Sequence, residues 1–290
     1  MKIGVVAPSS RIEESVAERV RAVAHELYQD RVELFFHPQC FLSSGHFAGD
    51  DESRAQAFVE IANDERYGAL WWARGGYGAN RIAERVLSQL SESALKKLYL
   101  GYSDSGFLLA GLYRRGFQAV HGPVAADINR GRTPAHDPTV PSEDGGDGRA
   151  AVWRALKFLV ERDPSTLEST VLTGQPVAAF NLTILSHLLG TPLEPDLTGH
   201  VVMLEDVSEP MYAIDRALFH VTSSENIRKA AGLKLGRVSD VPPNDPEFGE
   251  SEEEIMRHWS EVSGIPYLGR ADIGHDAANK VVPFGRWRGA

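Results

Sequence analysis

Apolar and polar positions along residues 1–126 follow two alternating periods. Short apolar runs at 2–7, 32–36, 69–73, 98–102 and 118–120 read as buried strands. Between them, the stretches 13–28, 51–63, 79–89 and 106–115 carry apolar residues every three or four positions. Val16, Val20, Val23 and Leu27, for instance, share one face of a helix. Strand and helix in strict alternation predict an α/β fold with a parallel sheet. Ser53-Arg54-Ala55-Gln56 has the spacing of a capping box, which would make Ser53 the cap of the second helix. Pro134, Pro138, Pro141 and the run Asp144-Gly145-Gly146-Asp147-Gly148 then predict a linker over 127–148, followed by a helix over 149–160. A second set of elements follows at 177–180, 182–189, 201–204, 212–222, 234–238 and 252–262. The expected organisation is an N-terminal α/β domain over 1–126, a linker and helix over 127–170, and a smaller mixed α/β domain over 171–290. The acidic run 247–254 reads as a solvated loop leading into a helix start, where carboxylates suit the helix dipole.

Charge narrows the partners. The 290 residues hold 30 Lys+Arg against 40 Asp+Glu, a net −10, which repels nucleic acid and anionic membrane. The lone Cys40 excludes an internal disulfide and suits a reducing compartment. Ile3-Gly4-Val5-Val6-Ala7-Pro8 is too short for a secretion signal. No stretch approaches the roughly 20 apolar residues of a membrane-spanning helix. The expectation is a cytoplasmic protein with no nucleic-acid or membrane partner.

Two segments carry candidate chemistry. In Gly101-Tyr102-Ser103-Asp104-Ser105-Gly106 a serine stands between a strand end and a helix start, on a turn that exposes its hydroxyl. The following amide, that of Asp104, could serve an oxyanion. Ser103 could equally be a helix cap and nothing more. In Arg74-Gly75-Gly76-Tyr77-Gly78 paired glycines allow positive φ and close approach of a substrate to the backbone. The segment lacks the lysine of a P-loop and the spacing of a dinucleotide fingerprint. Loops at the carboxyl ends of parallel strands converge on one crevice, so this loop could supply a second oxyanion amide.

A serine nucleophile needs a base, and the base an orienting acid. Ten histidines offer themselves. His275, beside a glycine in a late loop, competes with His121, which lies near Ser103 in the chain. Glu205, at the end of the apolar run 201–204, competes with Asp206. The residues alone leave both choices open. No histidine spacing suggests a metal, and acyl transfer by serine needs none.

The chain resembles the LD-carboxypeptidase family of serine peptidases, which also contains the microcin C immunity peptidases. The resemblance runs nearly full length. It rests on Ile3–Ser9, Phe47–Ala55, Arg74–Gly78, Gly101–Asp104, His121-Gly122-Pro123, Asn181-Leu182, Gly190–Pro192, Leu204–Val207, Tyr212–Arg216 and Gly274-His275 in that order. It implies a parallel-sheet domain and a smaller mixed α/β domain with the site between them. It also implies a Ser103–His275–Glu205 triad, oxyanion amides from Gly76 and Asp104, and no cofactor. One departure is visible: Ala179-Phe180 stands where the family commonly has two glycines, which would narrow the pocket if that strand end lines it.

The expected activity is therefore hydrolysis of an amide bond in a small peptide or peptide-like substrate, typically removal of the terminal D-alanine of a murein tetrapeptide. Arg74 is the expected grip on the terminal carboxylate, with an inter-domain ion pair as its alternative role, and Arg81 is read as a helix-surface residue. The alternatives are hydrolysis of a microcin-C-like aminoacyl-nucleotide and, from another class, a non-catalytic small-molecule binding protein. A homodimeric assembly stays open.

Overall fold

A computed structural model describes residues 1–130 and 147–289. Most of the predicted linker falls on 131–146, outside the described residues. The first half builds β1 (Lys2–Val6), α1 (Glu14–Tyr28), β2 (Glu33–Phe36), α2 (Asp51–Asn63), β3 (Ala69–Trp72), α3 (Ala79–Ser88), β4 (Leu98–Gly101), α4 (Gly106–Arg114) and β5 (Gln118–His121). The second half adds α5 (Gly148–Glu161), β6 (Val177–Asn181), α6 (Leu182–Leu188), β7 (Val201–Val207), α7 (Met211–Ser223), β8 (Gly232–Ser239), α8 (Glu252–Ser263), β9 (Tyr267–Arg270) and β10 (Val282–Pro283).

Two sheets result, in an α/β architecture as expected. The first has the order β10-β5-β4-β3-β1-β2, and the second the order β6-β7-β8-β9. All pairings are parallel except that of β10, which runs antiparallel to β5. Side chains of β3 alternate between two cores: Leu70 and Trp72 pack into one, Ala69 and Trp71 into the other. That period of two is what both faces of a buried parallel sheet require. The first core takes in the buried faces of α2, α3 and α4 and, across the chain, those of α6, α7 and α8. The second takes in α1 and α5 together with Val177, Val201, Met203 and Val281. Both cores therefore run continuously from one sheet to the other.

Three sequence expectations change. The cap of α2 is Asp50, whose carboxylate accepts from the Ser53 amide, so Ser53 is the donor and not the cap. An aspartate one turn earlier outcompetes it because its carboxylate also meets the helix dipole. Strands β9 and β10 join the list of elements: β9 is Tyr267-Leu268-Gly269-Arg270, with no buried position, and β10 is two residues long, so neither shows as an apolar run. Phe180 does not narrow the cleft. It is buried in the first core with its ring 5.1 Å from that of Phe284.

Among the described residues no helix is long and apolar enough to cross a membrane.

Candidate active site

The loops at the carboxyl ends of β1, β3, β4 and β5 gather around one cavity of about 630 Å³. Ser103, Gly75, Gly76, Arg74, Tyr102 and His275 all line it. This is the crevice position common to open parallel sheets.

Ser103 sits two residues past β4, opening a short 3-10 turn (Ser103–Ser105) that runs directly into α4. Its φ is +62°, in the left-handed region that costs an L-residue about 1–2 kcal/mol. A helix cap has no need of that conformation; a turn that lifts a hydroxyl off a strand end does. The hydroxyl lies over Gly75, where an added Cβ would come within 3.1 Å of both Cβ and Oγ of Ser103. The next residue in that loop, Gly76, has φ +116°. The glycine pair thus supplies close approach at one position and a left-handed backbone at the other.

Asp104 holds the turn in place. It is buried, and its Oδ2 accepts from the Ser9 hydroxyl and, at 2.8 Å, from the Ala79 amide. One carboxylate thereby ties the loops after β1, β3 and β4 together. Burial raises its pKa, against the opposing donors on Ser9, Ala79 and Gly78. Arg54 does the same from α2: fully buried, it donates to the Pro8 and Gly78 carbonyls and to Asp51. In the sequence Arg54 appears in a capping-box spacing and within the Phe47–Ala55 motif, but nothing local distinguishes a buried arginine from a surface one.

The candidate acids and bases differ in their partners. Glu205 lies inside β7, opposite Asn181 of β6, rather than beyond the strand end. Adjacent strand residues point to opposite faces. Glu205 turns to His275, with its Oε2 2.5 Å from Nδ1. Asp206 turns the other way and accepts from the Asn181 side chain and from the amide and hydroxyl of Thr183 at the start of α6. Room for Glu205 comes from Gly236 of β8, where a Cβ would stand 2.8 Å from that of Glu205.

His275 is buried, and its Nε2 has no partner among the described residues. Burial alone would disfavour the imidazolium, but the charge and hydrogen bond of Glu205 outweigh it, and the net shift of the pKa is upward. The Tyr102 ring lies 4.8 Å from the imidazole. Its phenol donates to Asp127 at 2.9 Å and accepts from Arg130 at 2.5 Å. Asp127 and Arg130 fall within the predicted linker, which composition marks as featureless; only Tyr102, through its motif, carries a signal. His121 is also buried, with Nε2 3.2 Å from Asn279 Oδ1, and burial lowers its pKa to about 3. Its Nε2 is committed to Asn279, and burial favours the neutral ring.

Arg74 is exposed at the cavity mouth and forms no ion pair with any described residue, so no bridging pair accounts for it there. Arg81, as read from the sequence, is an exposed residue of α3, and it pairs with Asp51. Among the described residues no group of three or more His, Cys, Asp or Glu is placed to hold a metal.

Residues 3–122 match the model of the LD-carboxypeptidase N-terminal domain, and 176–288 that of the C-terminal domain. The chain belongs to the LD-carboxypeptidase family. Relatives of this carboxypeptidase-family chain include the "Probable murein peptide carboxypeptidase" of Bacillus subtilis, 30% identical over 83% of this chain and 74% of that one. The murein tetrapeptide carboxypeptidase of Pseudomonas aeruginosa is 27% identical over 98% and 91%. Among solved structures, the muramoyltetrapeptide carboxypeptidase of Oxalobacter formigenes superposes with a TM-score of 0.78 at 22% identity, covering 98% of this chain and 93% of that one. The microcin C7 self immunity protein MccF, in complex with aspartyl sulfamoyl adenosine, gives 0.75 at 18% identity, with 98% and 91% covered. As a member of the LD-carboxypeptidases, the chain is a peptidase-type hydrolase of mixed α/β fold.

Proposed function

We propose that the chain is a serine-type LD-carboxypeptidase that removes the terminal D-alanine of a murein tetrapeptide through an acyl-enzyme. The observation that supports this reading is the buried Glu205–His275 pair, whose Nε2 has no partner among the described residues, with His275 and the left-handed Ser103 lining the same cavity. In this mechanism Ser103 Oγ attacks the scissile carbonyl while its proton passes to His275 Nε2. The amides of Gly76 and Asp104 hold the negative oxygen of the tetrahedral intermediate. Collapse breaks the C–N bond, and D-alanine leaves with the proton from Nε2. Water then attacks the ester and gives a proton to Nε2; the C–O bond to Ser103 breaks, Nε2 returns that proton to Oγ, and the acyl product departs as a carboxylic acid. Glu205 keeps His275 in the tautomer that leaves Nε2 free to accept.

The aminoacyl-nucleotide alternative calls for a ring against the nucleobase. The rings lining the cavity among the described residues are Tyr102 and His275, both buried and both engaged, which favours the peptide. Incubation with a murein tetrapeptide should release D-alanine, and a fluorophosphonate should label Ser103, located by mass spectrometry of the tagged peptide. Labelling without D-alanine release would exclude this substrate and retain the serine chemistry. No label at Ser103 would leave a binding protein.

Arg74, a guanidinium at the mouth with no ion pair among the described residues, suits a terminal carboxylate with two hydrogen bonds. Arg74→Lys should lower kcat/KM for the free tetrapeptide by about 10-fold or more. The already poor turnover of a C-terminally amidated analogue should be left unchanged. Equal losses on both would assign Arg74 a structural role.

A further inference from the structure

The base and the nucleophile come from opposite ends of the chain, and one small cluster joins them. Ser103 follows β4, whose last residue Gly101 lies in register with His121 of β5. His121 in turn lies opposite Val282 of β10. The loop that carries His275 connects β9 to β10, so the return of the chain to the first sheet brings His275 to the cavity that Ser103 also lines. That loop is clamped on three sides. From β8, Arg237 pairs with Asp272 and Asp276. From α5, Arg154 donates to the carbonyls of Ala277 and Asn279 at 2.8 and 3.0 Å. From β5, the contact is a side-chain relay: Asn279, fully buried, accepts on one oxygen from His121 Nε2 and from the Gly274 amide, each at 3.2 Å. Gly274 is the residue immediately before His275.

The backbone donor identifies the shared atom as the amide oxygen, so His121 must present Nε2–H to it. A neutral ring meets that need, and burial lowers the His121 pKa to about 3. The Arg237 and Arg154 clamps reach the second sheet and α5. The Asn279 relay is the side-chain contact that runs from β5, beside the nucleophile's strand, to the residue next to the base.

We propose that His121 and Asn279 are a positioning pair for the reaction: the relay His121 Nε2–H to Asn279 Oδ1 to Gly274 N–H sets the distance between His275 Nε2 and Ser103 Oγ. The proposal rests on the triad described above. A displacement of about 1 Å at a reacting pair costs on the order of 100-fold in rate. His121→Phe keeps the ring volume and removes the donor, and should lower kcat by about 10- to 100-fold with KM within about twofold. The fluorophosphonate labelling rate of Ser103 should fall by the same factor. His121→Gln, whose amide N–H can reach Asn279, should recover most of both rates. Asn279→Ala should resemble His121→Phe, and the double variant should be no slower than the slower single one, since both break one relay. Should His121→Phe fail to fold, His121→Asn, too short to reach Asn279, provides the same comparison with His121→Gln.

Equal losses in the Phe and Gln variants would mean that packing and not the hydrogen bond matters, and would overturn the pair. So would additive losses in the double variant. A wild-type protein that takes no label at Ser103 overturns the triad, and the pair with it. A labelled wild type whose His121→Phe variant labels at full rate overturns the pair alone.

Discussion

Replacing Ser103 by alanine should lower turnover by about 10⁴- to 10⁶-fold, the loss that follows removal of a triad nucleophile. The fold should survive. Ser103 is half-buried at a cavity wall, and its turn is anchored by its neighbour Asp104 through Ser9 and Ala79, not by its own hydroxyl. Alanine suffers the same left-handed backbone cost as serine, so thermal unfolding should occur within a few degrees of wild type. Retention of even a tenth of wild-type activity would remove Ser103 from the role. A collapse of the unfolding transition would make the loss of rate uninformative about chemistry, and labelling of the wild type would then decide.

Glu205→Gln should cost about 10⁴-fold in kcat while KM changes little, because the amide can pair with either imidazole tautomer and no longer stabilises the imidazolium. The pH profile should move as well. In the proposed mechanism His275 must be neutral to accept the serine proton, and its pKa is shifted upward. The acidic limb of kcat/KM should therefore lie above the ordinary histidine value of about 6.5, with activity rising as pH rises. Burial opposes that shift, and Glu205 supplies the charge and hydrogen bond that outweigh it. Without the carboxylate the burial contribution remains, so in Glu205→Gln the limb should move to lower pH even as the plateau falls. A limb that stays in place would mean that the titrating group is not His275, or that Glu205 does not govern it.

Ser103, Glu205 and His275 are all candidates on the amino-acid sequence, but they are not equally legible there. The turn at Ser103 stands out because strand, serine and helix are contiguous in the chain. The period of the apolar residues is a local property, so β1 to β5 and α1 to α4 are legible too. The choice between Glu205 and Asp206 is not. They are neighbours of like chemistry, and which of them meets a histidine 70 positions later depends on which face β7 turns towards the base loop. The same holds for His275 over His121: nothing in either motif says that one imidazole keeps Nε2 free while the other commits it to Asn279.

Features encoded over a few neighbouring residues can be read from the chain unaided: the α/β alternation, the serine on its turn between strand and helix, the paired glycines after β3, and the family motifs. The assembly of the site is a tertiary matter. Arg54 and Asp104 become struts only when three loops converge on them, and Arg130 and Asp127 gain a role only beside Tyr102. Strand β10, two residues long with a proline, has no period to read. It exists because its backbone finds a partner in β5 more than 150 positions earlier, and Val281 and Val282 are fully buried beside that pairing. Local propensity cannot carry information about a partner that distant in the chain, because the free energy that stabilises such a strand comes from burial and hydrogen bonding formed only in the folded molecule.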